Sequence, residues 1–360
     1  MSGTSMDGID AALVDLATDR VQLVATYAHA YSSTLQQQLE QALALEDPQN
    51  SDLAALDAAV GEAFATAANE LLAHAGIAAA AVTAIGSHGQ TIRHEPAAPA
   101  PYSLQIGHPE TIAALTGIDV VADFRRADIE AGGQGAPLVP AFHRAAFASP
   151  REDRVILNIG GIANITLLPA TSSRAVNGFD TGPGNTLMDV WARRELDTTM
   201  DMDGRWAAGG NVDEHLLAAL LRDPYFGAPP PKSTGREYFN LEWLLQHTGT
   251  GQLAAQDVQT TLCELTARSV AAAIRRHSRD AARLLVCGGG VHNAQLMRRL
   301  AANLPATVVE STARHGMDPD WVEAAAFAWL AQQTLAGRPG NIPAVTGARR
   351  PVQLGRIVRH

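Results

Sequence analysis

The chain is 360 residues long, 46% hydrophobic and 18% charged, with a formal net charge of −10. That length suits two domains of ~150–200 residues each rather than one core. The composition excludes a disordered, collagen-like or membrane-embedded chain. Positive charge is almost entirely arginine, with Lys232 the one lysine and no basic run. This argues against nucleic acid and anionic membrane as partners. No apolar run reaches the ~18 residues of a spanning helix, since the richest stretch, 71–85, is broken by His74. No signal-peptide pattern is readable, and Cys263 and Cys287 form neither a disulfide framework nor a ligand cluster. Cytoplasm is the expected compartment.

The chain opens on a Gly/Ser/Thr/Asp loop, GTSMDG, followed by alternating apolar residues over 9–16 and 21–27 that read as a β-hairpin. Two amphipathic helices follow, one striped by Leu35, Leu39 and Leu43, the other by Leu53, Leu56, Val60, Phe64 and Leu71. Short strands at 82–85 and 118–122 then enter polar turns, GSHGQTIRHEP and DFRRAD. The run GGQGAPLVP at 132–140 reads as a hinge or domain edge. After it a strand at 154–159 enters NIGGIANIT, and a later strand meets GFDTGPGN with a helix starting at Thr186. Residues 263–274 and 321–335 are periodic, and the strand 284–287 runs into GGGVHN.

Glycine-rich turns after strands let backbone N–H groups approach phosphate, and nearby hydroxyls add donors. Each such turn alone is more often only a turn, but three occur here. They supply Gly3, Thr4, Ser5 and Gly8, then Gly160, Gly161 and Asn164, then Gly288, Gly289, Gly290 and Asn293. Asp7 and Asp10 stand near the first turn, where they could organise hydrated Mg2+. No GxxxxGK[ST] is present, and no GxGxxG opens a helix with an acidic residue ~20 positions on. Asp180, beside the rigid Gly-Pro-Gly turn, is placed to orient and deprotonate a nucleophile, the bland alternative being a helix cap. His88 and His94 of SHGQTIRH, with Asp123 and Arg125 of DFR, suit a polyol bearing an anion; singly, such histidines are ordinary polar residues.

Together these segments resemble the anhydro-N-acetylmuramic acid kinase family. MSGTSMDGID, GSHGQTIRHEP, QIGHPETIA, DFRRADIEAGGQGAPLVP, NIGGIANIT, FDTGPGN, PPPKSTGREYFN and CGGGVHN occur in the family's order over residues 1 to about 330. The resemblance implies an α/β fold of the actin, sugar kinase and heat-shock ATPase group, with two domains and a nucleotide cleft between them. It implies ATP and Mg2+ as cofactors, small-molecule substrates and a homodimer. It matches Asp180 to the catalytic base, and places Gln90, Thr91, Arg125 and Glu323 around the sugar. ATP contacts implied in the same way fall on the first loop, including Met6 and Ile9, on Asn158, and on the two later glycine turns; Asp7 is matched to Mg2+ through water. Expected domains are 1–131 and 132–336, with 337–360 a tail packing back on the first. Family members carry residues ahead of MSGTS, so the expectation here is a truncated first strand. The competing reading is a non-catalytic or differently specific ATP-binding module, against which only residues 336–360 follow the last periodic helix.

Overall fold

A computed structural model describes residues 1–360 except Thr4, Ser5, Asp7, Asp19, Arg20, Asn50, Ser172 and 249–252. Twelve strands are defined among the described residues. In chain order they are β1 (Gly8–Asp15), β2 (Gln22–Ala30), β3 (Ile85–Gly86), β4 (Gln90–Glu95), β5 (Tyr102–Ile106), β6 (Val120–Ala122), β7 (Asp153–Ile159), β8 (Ile162–Leu168), β9 (Asn177–Pro183), β10 (Ala281–Cys287), β11 (Val308–Ser311) and β12 (Arg356–Val358). The chain divides into two compact units, Met1–Ala146 with Trp321–His360, and Phe147–Asp320.

In the first unit, β1 and β2 form the expected antiparallel hairpin. The helix Ser33–Leu43 starts where Ser32 Oγ accepts from the Leu35 N–H, and it buries Leu35 and Leu39. Leu43, the third residue of the predicted stripe, stays 36% exposed. The helix Ala54–Ala75 buries Val60, Phe64 and Leu71 and stops at Gly76, whose φ of 66° few other residues adopt. β6 pairs in parallel with β3 and antiparallel with β12, so the last strand in the sequence joins the first unit. A second core gathers Val121 and Phe124 with Phe327 and Leu330 of the helix Val322–Leu335, and with Val352 and Leu354.

The second unit is built on a five-stranded sheet ordered β11-β10-β7-β8-β9. β7, β10 and β11 run parallel, and β8 is antiparallel to both β7 and β9. Numbered within the unit the order is 3-2-1-4-5 with only the second strand reversed, the sheet of the actin and sugar kinase group. Val155, Leu157, Ile165, Phe179, Leu284 and Val286 fill the core with residues of the helix Ala255–His277. On that helix Glu264, 5% exposed, accepts from Arg268 Nε (2.8 Å), Arg299 Nη1 (2.8 Å) and Asn303 Nδ2 (3.0 Å). This ties it to the helix Ala294–Asn303.

The boundary expected at 131/132 lies instead at Ala146/Phe147, and 321–336 belongs to the first unit. The glycines of 132–135 are not a linker. Asp128 O accepts from the Gly133 N–H and Thr346 O from the Gln134 N–H, each at 2.8 Å, which folds that run into a tight loop of the first unit. The helix Val139–Phe147 places the Phe142 ring 6.2 Å from that of Trp329, joining it to the same unit. Among the described residues no helix is long and apolar enough to cross a membrane.

Candidate active site

In the second unit, the bulge between Ala163 and Asn164 sets Asp180 opposite Asn164 on β9. The segment PPPKST runs beside it. Thr234 N–H donates to Asp180 Oδ2 (3.0 Å), the Asp180 N–H donates to Lys232 O (3.2 Å), and the Tyr225 hydroxyl donates to Asp180 O (2.9 Å). Lys232 Nζ donates to Tyr225 O at 2.9 Å and lies 4.4 Å from the Tyr225 ring centroid. Asp180 is therefore braced by its backbone, while its carboxylate accepts one backbone N–H. Burial pushes its pKa up to about 6, against the opposing pull of the Thr234 N–H and the Lys232 charge. The buried Thr234 hydroxyl beside it has no hydrogen-bond partner among the described residues. A carboxylate with a pKa near neutrality beside an unsatisfied donor is suited to receiving a proton from a ligand hydroxyl or water.

Both glycine turns of this unit follow parallel strands. Gly160 and Gly161 carbonyls accept from the N–H groups of Asn185, Gly184 and Thr186, which fastens the turn to the start of the helix Thr186–Leu196. A Cβ on Gly161 would stand 3.0 Å from Arg236 Nε, so an arginine lies across this turn. At Gly288, φ is 77° and a Cβ would meet Asn158 Oδ1 at 2.3 Å; at Gly290 it would meet Ile159 Cγ2 at 2.3 Å. Gly289 between them faces open space. One turn thus seats its outer glycines on β7 and presents its middle one outward, a surface that an anionic group can approach. Asn293, expected as a ligand, caps the helix Ala294–Asn303 by accepting from the Leu296 N–H at 2.9 Å. A cavity of about 730 Å3 lined by Arg151, Arg154, Arg283 and Arg314 lies toward the starts of β7 and β10, away from these turns.

In the first unit, Thr4, Ser5 and Asp7 lie outside the described residues. Met6 takes a φ of 54°, and Ile9, expected as an ATP contact, is 2% exposed in the core and paired with His29 of β2. Asp10 is exposed. Gln90 is buried, with Ser2 Oγ 2.7 Å from its Oε1 and its Nε2 donating to Gly3 O at 3.4 Å. The same loop is therefore bound to the start of β4. Thr91 Oγ1 accepts from Gln105 Nε2 (3.2 Å).

His88 and Arg125 meet directly. Arg125 Nη2 lies 2.8 Å from His88 Nε2, and His88 Nδ1 lies 2.9 Å from Gly89 O. Burial and the guanidinium hold the His88 pKa well below its usual value. The ring is neutral, with its proton on Nδ1 and Nε2 accepting from the arginine. Burial lowers Arg125 to about 10, and the Glu323 charge opposes that shift. Glu323, in the first turn of the helix Val322–Leu335, is itself raised by burial, with Arg125 pulling it down and Asp10 pushing it up. Arg125, Glu323 and Asp10 thus form one electrostatic neighbourhood. Asp123, by contrast, is engaged by Arg126 Nε at 2.7 Å. His94, lowered to about 4 by burial and by Arg125, also belongs to these surroundings.

Sequence reasoning missed Lys232, Tyr225 and Thr234 around Asp180, and Arg236 over Gly161. The one lysine of the chain, inside PPPKSTGRE, was the available signal.

A sequence profile of anhydro-N-acetylmuramic acid kinase matches residues 1–360. The chain belongs to this family. A relative from Xanthomonas campestris pv. campestris (strain 8004), named anhydro-N-acetylmuramic acid kinase, is 55% identical over 364 residues, covering 99% of this chain and 95% of its own length. One of the same name from Shewanella sp. (strain MR-7) is 53% identical over 356 residues, covering 99% and 96%. Among solved structures, component A of the (R)-2-hydroxyglutaryl-CoA dehydratase of Acidaminococcus fermentans is 13% identical. It covers 90% of this chain and 99% of its own, with a TM-score of 0.42.

Proposed function

We propose that this protein is an ATP-dependent kinase that opens the 1,6-anhydro ring of 1,6-anhydro-N-acetylmuramic acid with water and phosphorylates the freed 6-oxygen. The product is N-acetylmuramic acid 6-phosphate, formed during cell-wall recycling. The observation that carries the reading is the Asp180 carboxylate, rigidly held and with its pKa raised to about 6. Asp180 takes a proton from the water that attacks the anomeric carbon. The C1–O6 bond breaks, and O6, now the nucleophile, attacks the γ-phosphorus while ADP leaves. One water and one phosphoryl group are added, and one proton is released overall.

Arg125, held by neutral His88, is the donor for the carboxylate of the sugar's lactyl group. Gln90 and Thr91 on β4, with Asp123 and Glu323, are the polar groups assigned to the sugar. The outward Gly289, the Gly160–Gly161 turn with Asn158, Asn164 and Arg236, and the 3–10 loop are the assigned phosphate and nucleotide contacts. Among the described residues no three His, Cys, Asp or Glu side chains converge as a metal cage. The Mg2+ of this reading is a hydrated ion carried by the ATP phosphates. Asp7 and Asp10 are assigned to its water shell, and the ion would offset phosphate charge. A cytoplasmic location and a homodimer belong to the same reading.

The test is a product mass from the purified chain with Mg-ATP and 1,6-anhydro-N-acetylmuramic acid. A sugar heavier by one water and one phosphoryl group is expected. ATP hydrolysis that ignores the sugar would overturn the reading in favour of an ATP-binding module.

A further inference from the structure

The strongest structure that the proposed chemistry does not use is a buried carboxylate. Asp128 is 0% exposed, and no arginine, lysine or histidine pairs with it among the described ion pairs. Its charge is instead surrounded by neutral donors. Oδ1 accepts from Asn341 Nδ2 (2.6 Å) and Thr346 Oγ1 (2.7 Å), and Oδ2 accepts from the Gly135 N–H (2.8 Å). Asn341 is 5% exposed and Thr346 1%. Burying a carboxylate costs several kcal/mol unless hydrogen bonds compensate it, and those bonds then fix whatever carries the donors.

What they fix is the loop 132–135. A Cβ on Gly133 would stand 2.2 Å from Asp128 Oδ2, so the loop lies directly on the carboxylate. Gly135 then turns the contact outward: its N–H goes to Asp128, while its carbonyl accepts from Arg125 Nη1 at 2.8 Å. Arg125 Nη2 is set by His88. Each end nitrogen of the guanidinium is therefore fixed by one acceptor and keeps a second N–H, and the buried Nε has no hydrogen-bond partner among the described residues.

We propose that Asp128 is a positioning residue for the carboxylate of the sugar substrate, acting through Gly135 to set the guanidinium of Arg125, with Asn341 and Thr346 holding Asp128 in place. The proposal rests on the assignment of Arg125 to that carboxylate. A fork donor recognises a carboxylate only when its plane is fixed, and the Gly135 carbonyl fixes one of its ends. The substitution Asp128→Asn would turn an amide N–H₂ toward donors, misplacing Gly135 without removing any group that touches substrate.

The experiment uses the full chain with Mg-ATP and two sugars, 1,6-anhydro-N-acetylmuramic acid and 1,6-anhydro-N-acetylglucosamine, which lacks the lactyl acid. Variants are Asp128→Asn, Thr346→Val, Thr346→Ser and, as the reference, Arg125→Lys. Asp128→Asn is expected to raise KM for the acidic sugar about tenfold, with kcat and the KM for ATP within about twofold, and to erase the preference for the acidic sugar. Thr346→Val moves the same quantities less far, and Thr346→Ser, which keeps the hydroxyl, restores them. A uniform loss of kcat and both KM values that follows thermal stability overturns the proposal in favour of a simple loop staple. An unchanged preference in Asp128→Asn overturns it too, provided Arg125→Lys loses the preference. If Arg125→Lys itself keeps that preference, the Arg125 assignment fails and this proposal with it. If Asp128→Asn does not fold, the threonine pair decides: Thr346→Val without a KM effect overturns the proposal.

Discussion

Arg125 Nη2 donates to His88 Nε2 across 2.8 Å, a contact that exists only while that nitrogen carries no proton. The histidine is thereby removed from the set of groups that titrate near neutrality, and the arginine gains a fixed orientation. His94, at about 4, is removed as well. The acid limb of a pH profile must come from another group.

That group is expected to be Asp180, at about 6. As the base of the proposed reaction it would work ionised, so kcat/KM should be flat above pH ~7 and fall about tenfold per unit well below pH 6. Asp189 is also raised to about 6 by burial, so Asp189→Asn is the control and should retain the limb. A limb that persists in the residual activity of Asp180→Asn would remove Asp180 as its source. That variant should lose roughly three or more decades of turnover.

The same carboxylate weakens the fold that holds it. Its folded pKa lies above the ordinary value of 3.8, so folding is favoured while it is protonated, below about pH 4, and that advantage disappears as pH rises through about 6. Asp180→Asn keeps an acceptor for the Thr234 N–H and carries no charge. It should melt a few degrees higher than the parent at pH 8 and show no gain near pH 4, by differential scanning calorimetry.

The glycines of GGGVHN should not respond alike. Gly288→Ala meets Asn158 Oδ1 from a left-handed backbone, and Gly290→Ala meets the branched Ile159 side chain. Each is expected to cost about 1–3 kcal/mol in urea unfolding and to raise the KM for ATP at least tenfold. Gly289→Ala has open space before it and should leave stability within about 0.5 kcal/mol. Any change in its KM for ATP then reports contact with nucleotide rather than damage to the turn.

Glu264 supplies a stability prediction independent of catalysis. Hydrogen bonds from Asn303, Arg268 and Arg299 hold its pKa down against burial, so its contribution is present above about pH 4.5 and is lost as pH falls through the lowered value. Glu264→Ala should destabilise the second unit by about 2–3 kcal/mol at pH 7, because Arg299 loses its partner while partly buried. In denaturant titrations the difference should shrink steadily toward pH 3.

Elements with a strong local signature were legible in the sequence. The β1–β2 hairpin followed from alternation, and the helices Ala255–His277 and Val322–Leu335 from their apolar periodicity. Asp180 was legible because a Gly-Pro-Gly turn beside an acid is uncommon. The β4–β5 hairpin was not, since its polar residues face partners that only the pairing supplies, such as Ser103 against His94. The 132–140 run misled for a related reason. Glycine and proline mark a turn, but nothing local shows that Asp128, Asn341 and Thr346 converge on it from up to 218 positions away. Long-range acceptors for buried polar groups leave no period in the sequence.

The first unit is assembled from two stretches separated by the whole of the second. During synthesis the residues of Phe147–Asp320 emerge complete and contiguous, while β6 must wait for β12, and Asp128 for Asn341 and Thr346. The glycine turns that follow β7 and β10 can therefore be shaped on the ribosome before the Arg125 neighbourhood is finished. A chain cut short just before Asn341 would keep every residue of its second sheet yet lack both side-chain donors, Asn341 and Thr346, that hold Asp128.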